Sequence, residues 1–297
     1  MSLLVRVPNW LGDGIMALPA VNGIISRYPD AGIWAVKRVA PLYRMVFSNC
    51  QVHTFPELPS GHRYKKLLLL TSSFSSALAG VRAGIRQITG TPGDGRTPLL
   101  TTVRRIPEDR TRHHSLHYDA IAEAVDALPE MPEKPQLTRA GEKHIAVFAG
   151  ARYGEAKMWK GFAEVASLLE KPCVFYGTVS EREYLEEQAG RAGAAVKTGL
   201  TLRELCENLL SASAVIGNDS GGVHLAAFLG RPTVVIFGST SPAWTVPLEN
   251  GGKVLAVTGS VECSPCFQRI CPLKEPECFK VIDPRLVADM VRRAQDE

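Results

Sequence analysis

Short apolar runs rich in β-branched residues alternate with amphipathic stretches of helical length along the whole chain, and this alternation constrains the fold more than any other feature. Strand, helix and strand in succession pack as a parallel sheet with helices on its faces. In the first half SLLVRVP, GIWAVKRV, KKLLLLT and RQITG read as strands, with helical stretches after Asp13, around Pro41 to Ser48, and from Ser75 to Ala83. HYDAIAEAVDAL closes this half. The prolines and charges of LPEMPEKPQL mark a linker, after which KHIAVFAG restarts the strand pattern. The sequence therefore predicts one α/β domain over 1–140 and a second over 141–297, a division that suits 297 residues.

In the second half KHIAVFAG, PCVFYG, AVIGNDS and TVVIFGS read as strands, separated by helical segments that end with DPRLVADMVRRAQ. Ser180 with Glu183 and Thr201 with Glu204 fit the capping box, and Gly230 suits a helix stop. Two such domains predict a ligand cleft between them, with chemistry at the carboxyl ends of the strands. No apolar stretch approaches the roughly 20 residues of a membrane span. The opening segment lacks the long apolar core of a secretory signal, so a cytoplasmic location is expected, with membrane contact at most peripheral. A net charge of +4 suits an anionic substrate or an acidic membrane surface but falls short of a dedicated nucleic-acid binder.

Four segments carry candidate chemistry. N-W-L-G-D-G at residues 9–14 follows a strand and precedes a helix. Asp13 there is either a helix cap or a general base that takes the proton of an attacking hydroxyl. I-G-N-D-S-G-G-V-H at residues 216–224 is again a strand running into a helix, where backbone N–H groups and the helix dipole favour phosphate. Asp219, Ser220, Gly221 and Gly222 carry that signal, and His224 one turn on is either a packed core residue or a diphosphate contact. In F-A-G-A-R-Y-G-E-A-K-M-W at residues 148–159, Lys157 is the cation suited to a diphosphate leaving group. In Y-G-T-V-S-E-R-E the capping box occupies Glu183, which leaves Glu181 to bind ribose hydroxyls.

These segments, in this order and over nearly the whole chain, resemble glycosyltransferase family 9, the lipopolysaccharide heptosyltransferases, and within it the heptosyltransferase II group. The most specific part is NDSGGVHLAAFLGRPTVVIFGSTSPAWTVPL, supported by the AKMW loop and PNWLGDGIMALPA. The resemblance implies a GT-B architecture, two Rossmann-like domains facing across a cleft, with the acceptor on the first domain, ADP-heptose on the second and the last helix crossing back to the first. It implies inverting transfer of heptose to the inner-core oligosaccharide of lipid A, heptose II onto heptose I, at the cytoplasmic face of the inner membrane. Asp13 would be the base and Lys157 the diphosphate contact; Glu181, Asp219 to Gly222 and His224 would bind the donor. No cofactor and no catalytic metal is implied.

The stretch from Arg82 to His117 is rich in arginine. It is either a solvated loop or, as the resemblance favours, a surface for acceptor phosphates and carboxylates, with Arg86, Arg96 and Arg112 as candidates. Cys263, Cys266, Cys271 and Cys278 are separated by two, four and six residues. That spacing fits zinc, reduced thiols or a disulfide, and does not choose among them. Competing readings are a family 9 transferase with another donor or acceptor, a sugar-nucleotide epimerase, which would need no arginine-rich acceptor surface, and a nucleotide-binding scaffold in which Asp13 is only a cap.

Overall fold

A computed structural model describes residues 2–57, 64–151, 154–273 and 276–296. The chain divides into two compact units, Met1–Pro135 and Gln136–Glu297. In the first, β1 (Leu3–Arg6), β2 (Gly32–Val36), β3 (Gln51–Phe55), β4 (Lys66–Leu69), β5 (Gln87–Gly90) and β6 (Thr102–Val103) form one sheet in the order β3-β2-β1-β4-β5-β6. Its helices are α1 (Leu11–Met16), α2 (Leu18–Arg27), α3 (Ala40–Val46), α4 (Phe74–Arg82) and α5 (Ser115–Ala122). In the second, β7 (His144–Phe148), β8 (Cys173–Gly177), β9 (Ala195–Thr198), β10 (Ala212–Asn218), β11 (Thr233–Phe237) and β12 (Val254–Thr258) run in the order β12-β11-β10-β7-β8-β9. The helices here are α6 (Phe162–Leu168), α7 (Arg182–Ala192), α8 (Leu202–Ser211), α9 (Gly221–Phe228), α10 (Pro242–Thr245), α11 (Glu277–Lys280) and α12 (Pro284–Asp296).

Every strand pair is parallel. Counted within each unit, both sheets have the doubly wound order 3-2-1-4-5-6, which reverses direction between the first and fourth strands. Sheets of this order bind ligands there, outside the carboxyl ends, because the helices leaving the two strands go to opposite faces. In the first unit the switch lies between β1 and β4, and in the second between β7 and β10.

The central strands are buried on both faces, as crossover helices require, and so read as continuous apolar runs: LLVR in β1, HIAVF in β7 and TVVIF in β11. In the first unit Trp34, Leu67, Leu69, Ala77 and Ile88 form one core cluster. In the second, Ile145, Val147, Trp159, Phe162, Phe175, Ile216 and Ile236 pack with Val287, Ala288 and Val291. The last three belong to α12. α12 buries its apolar stripe in the core of the second unit. The stripe repeats every three or four residues, which commits it to one broad apolar surface. Among the described residues no helix is long and apolar enough to cross a membrane.

Candidate functional site at the switch points

Lys157, Asp219 and Glu181 all sit just past the carboxyl ends of neighbouring strands in the second unit. The loop after β7 ends in a short 3-10 turn, Glu155–Lys157, while β10 runs directly into Asp219, Ser220 and α9. These are the two strands that flank the switch point, so the topology brings the two segments together across 62 residues of sequence. Asn218 fastens them. Its Nδ2 donates to Ala149 O at 2.7 Å and its Oδ1 accepts from Trp159 N at 3.1 Å, which pins both ends of the lysine loop to β10. Arg152 and Tyr153 of that loop lie outside the described residues.

Lys157 Nζ donates to Asp219 Oδ2 at 2.6 Å, with the two side chains 12% and 4% exposed. The same oxygen accepts from Thr240 Oγ1 at 2.8 Å and from Thr245 Oγ1 at 3.0 Å. His224, itself buried, places Nε2 3.6 Å from Asp219 Oδ1. Burial by itself would raise the Asp219 carboxyl, but His224 and the Lys157 ammonium outweigh it and hold the group well below the usual carboxylate range. Asp219 is therefore ionised at any neutral pH and is unsuited to accept a proton. Its chemistry is that of a fixed negative charge orienting donors.

Thr240 and Thr245 come from the turn after β11. Ser241 caps α10, its Oγ accepting from Ala243 N at 3.2 Å, so Thr240 precedes the helix and Thr245 ends it one turn later. That turn is held from the other side by the cysteine-bearing segment, where Phe267 N donates to Ser239 O at 2.6 Å and Ser264 Oγ to Gly238 O at 2.7 Å. Sequence reading missed Asn218, Thr240 and Thr245. Asn218 and Thr240 stand beside motif residues at strand ends, but nothing local shows that they converge.

The glycines of the α9 turn follow from packing. A Cβ on Gly222 would collide with the Phe148 ring, and one on Gly217 would crowd Phe148 and Val223. At Gly150 a Cβ would collide with the Glu181 carboxylate, so that carboxylate lies directly against the end of β7. The expected capping assignment is corrected here. Glu181, not Glu183, closes the box: its Oε2 accepts from Thr178 N at 2.7 Å and from Thr178 Oγ1 at 2.6 Å. Ser180 could not be the cap because the first turn begins at Val179. The second expected box, Thr201 with Glu204, forms as read. Ser220 is the N-cap of α9 in extended conformation, without a side-chain cap bond.

In the first unit Asp13 is the third residue of α1, directly after β1 at the other switch point, and the N-cap position belongs to Trp10. Tyr43 and Tyr118 are fully buried nearby; burial foremost drives both phenols upward, and the Asp13 charge adds to it. Tyr43 donates to Gly14 O at 3.0 Å, tying α3 to α1. Beneath the motif, Arg6 is buried in β1, where its guanidinium lies 4.5 Å over the Phe55 ring and donates to Asn9 Oδ1 at 2.5 Å. Burial lowers it to about 10.

The three acceptor arginines part company. Arg86 and Arg112 are exposed. Arg96 is fully buried, and its placement as an acceptor contact is corrected: Nε donates to Thr91 O at 2.8 Å, Nη2 to Thr91 Oγ1 at 3.0 Å, and Nη1 to Thr71 O. It ties together the ends of β4 and β5. Arg96→Met should destabilise the protein by about 2–4 kcal/mol, read by chemical denaturation, because three buried acceptors lose a charged donor. A change below 0.5 kcal/mol would mean that the guanidinium holds nothing.

Cys263, Cys266, Cys271 and Cys278 line one cavity of 180 Å³ together with Ala156, Gly238 and Ser239. All are free thiols, and among the described residues no three metal-ligating side chains converge on one point.

The fold matches the structure of E. coli ADP-heptose lps heptosyltransferase II over 99% of this chain and 98% of that one, with a TM-score of 0.79 and 24% identity. Two doubly wound parallel sheets in one chain, together with this match, give the fold class as GT-B. Over residues 60–276 the chain matches the model of glycosyltransferase family 9 (heptosyltransferase), and it belongs to that family of transferases. Lipopolysaccharide heptosyltransferase 2 of Escherichia coli K12 is 30% identical over 87% of this chain and 89% of its own length. Lipooligosaccharide heptosyltransferase 2 of Campylobacter jejuni serotype O:2 is 29% identical over 98% of each chain.

Proposed function

We propose that this enzyme transfers heptose from ADP-heptose to the inner core of lipopolysaccharide, placing a second heptose on the first, at the cytoplasmic face of the inner membrane. The observation that carries the donor half is the Lys157–Asp219 pair at the switch point beside α9, where a diphosphate would meet an ammonium and the N–H groups of a helix start. The choice of sugar and acceptor is supported by the relatives named above, both called heptosyltransferase 2.

In this reading Asp13 takes the proton of an acceptor hydroxyl as its oxygen attacks the anomeric carbon from the face opposite the nucleotide. The bond to the diphosphate oxygen breaks, ADP departs with the electron pair, and the configuration inverts in a single displacement. Lys157 and the amides of Ser220 to Gly222 stabilise the charge that develops on the leaving diphosphate. Glu181 keeps Oε1 for the ribose hydroxyls while Oε2 serves the cap. Arg86 and Arg112 remain the acceptor-facing candidates.

The test offers ADP-heptose with two purified inner-core acceptors, one carrying the first heptose and one lacking it. Product on the heptose-bearing acceptor alone is expected. Transfer to the other acceptor would reassign the step, and no transfer to either despite ADP binding would point to another donor sugar.

A further inference from the structure

Three donors meet on one carboxylate oxygen, and only one of them is a charge that the donor substrate would need. Lys157, Thr240 and Thr245 all bond Asp219 Oδ2, at 2.6, 2.8 and 3.0 Å. If Lys157 alone satisfied this buried carboxylate, moving it toward a diphosphate would leave an uncompensated charge 4% exposed, the costly outcome for any buried ion pair. The two hydroxyls change that balance. They hold Oδ2 by hydrogen bonds that do not depend on the ammonium, while His224 lies against Oδ1. Hydroxyls at this oxygen also share the charge Lys157 sees, which weakens the hold of Asp219 on the ammonium.

We propose that Thr240 and Thr245 are positioning residues of the donor site, keeping Asp219 oriented and compensated so that Lys157 can turn from it to the diphosphate of the sugar nucleotide. The inference rests on the donor reading above. It also accounts for the fastening of the β11 turn on both sides, by Ser241 at the start of α10 and by the bonds from Phe267 and Ser264 to Ser239 and Gly238. A turn that supplies two hydroxyls to one oxygen has to be held to a few tenths of an ångström.

The experiment measures ADP binding by calorimetry and transfer kinetics for wild type, Thr240→Val, Thr245→Val, and the serine variant at each position. Valine keeps the shape and removes the hydroxyl; serine keeps the hydroxyl. Each valine variant should bind ADP about three- to tenfold more weakly, with a matching rise in the donor KM and a smaller change in kcat, and each serine variant should return to within twofold of wild type. Melting temperatures identify any variant that has lost its fold, and the other position then carries the comparison. Valine variants that fold and bind ADP like wild type would overturn the inference, as would serine variants no better than valine, which would make the methyl packing the whole effect. Failure of the wild type to bind ADP would overturn the donor reading itself, and this inference with it.

Discussion

Asp13→Asn should lower kcat for sugar transfer about a thousandfold while leaving ADP affinity within twofold, since a positioned general base contributes roughly 10²–10⁴ to a rate. The substitution keeps the size and shape of the side chain and removes only its ability to take a proton. Asp13 lies within the first turn of α1, behind the N-cap position of Trp10, with no side-chain cap bond at the helix start. A cap role therefore predicts a loss of stability and little change in chemistry, and the base role predicts the reverse. Steady-state rates together with a thermal melt separate them. A variant that keeps more than a tenth of the wild-type kcat would remove Asp13 from the chemistry.

The largest stability effect is expected at Asp219. Replacing it with Ala breaks a buried pair and removes the carboxylate that faces the Lys157 ammonium, a loss of about 3–5 kcal/mol. The pH dependence has a definite sign. Because the folded carboxyl is held below its unfolded value, its contribution is fully present above the ordinary carboxylate range near about pH 4 and is lost as pH falls toward the lower folded value. Urea denaturation of wild type and variant should thus differ most at neutral pH and converge in acid. A double variant, Lys157→Met with Asp219→Leu, should recover part of the stability and bind no ADP, which would show that the charges are kept for the ligand rather than for the fold. A gap between Asp219→Ala and wild type that is independent of pH would rule out the ionised pair as its source.

The eight strands read from sequence are the eight interior strands, and the four that were missed, β3, β6, β9 and β12, are the four edges of the two sheets. The physics of burial explains the division. Apart from β5 (QITG), whose Gln87 is exposed, the interior strands are largely covered on both faces and mostly apolar, whereas QVHTF, TV, AVKT and VLAVT are partly exposed and mix polar residues into short runs. Helix starts were legible where the cap is the only candidate, as at Thr201. Two Ser/Thr–Glu pairs overlap at Thr178 to Glu183, and there the choice depends on where the chain turns out of β8. Arg96 was illegible for another reason: arginine is nearly always a surface residue, and only the closing of β4 and β5 around Thr71 and Thr91 makes it an interior one. The motif residues around Asp219 were legible from their place between strand and helix. Thr240 and Thr245 were not, because their meeting point is set by the neighbouring strand.

Since both units wind their strands in the same order, Asp13 after β1 and the Lys157 loop after β7 stand at the same address in two copies of one plan. At that address one copy carries a carboxylate and the other an ammonium. Neither sheet has to be rebuilt to alter what its tip does, so what the two tips bind can drift separately, each by replacing a handful of residues on loops that the scaffold already aims.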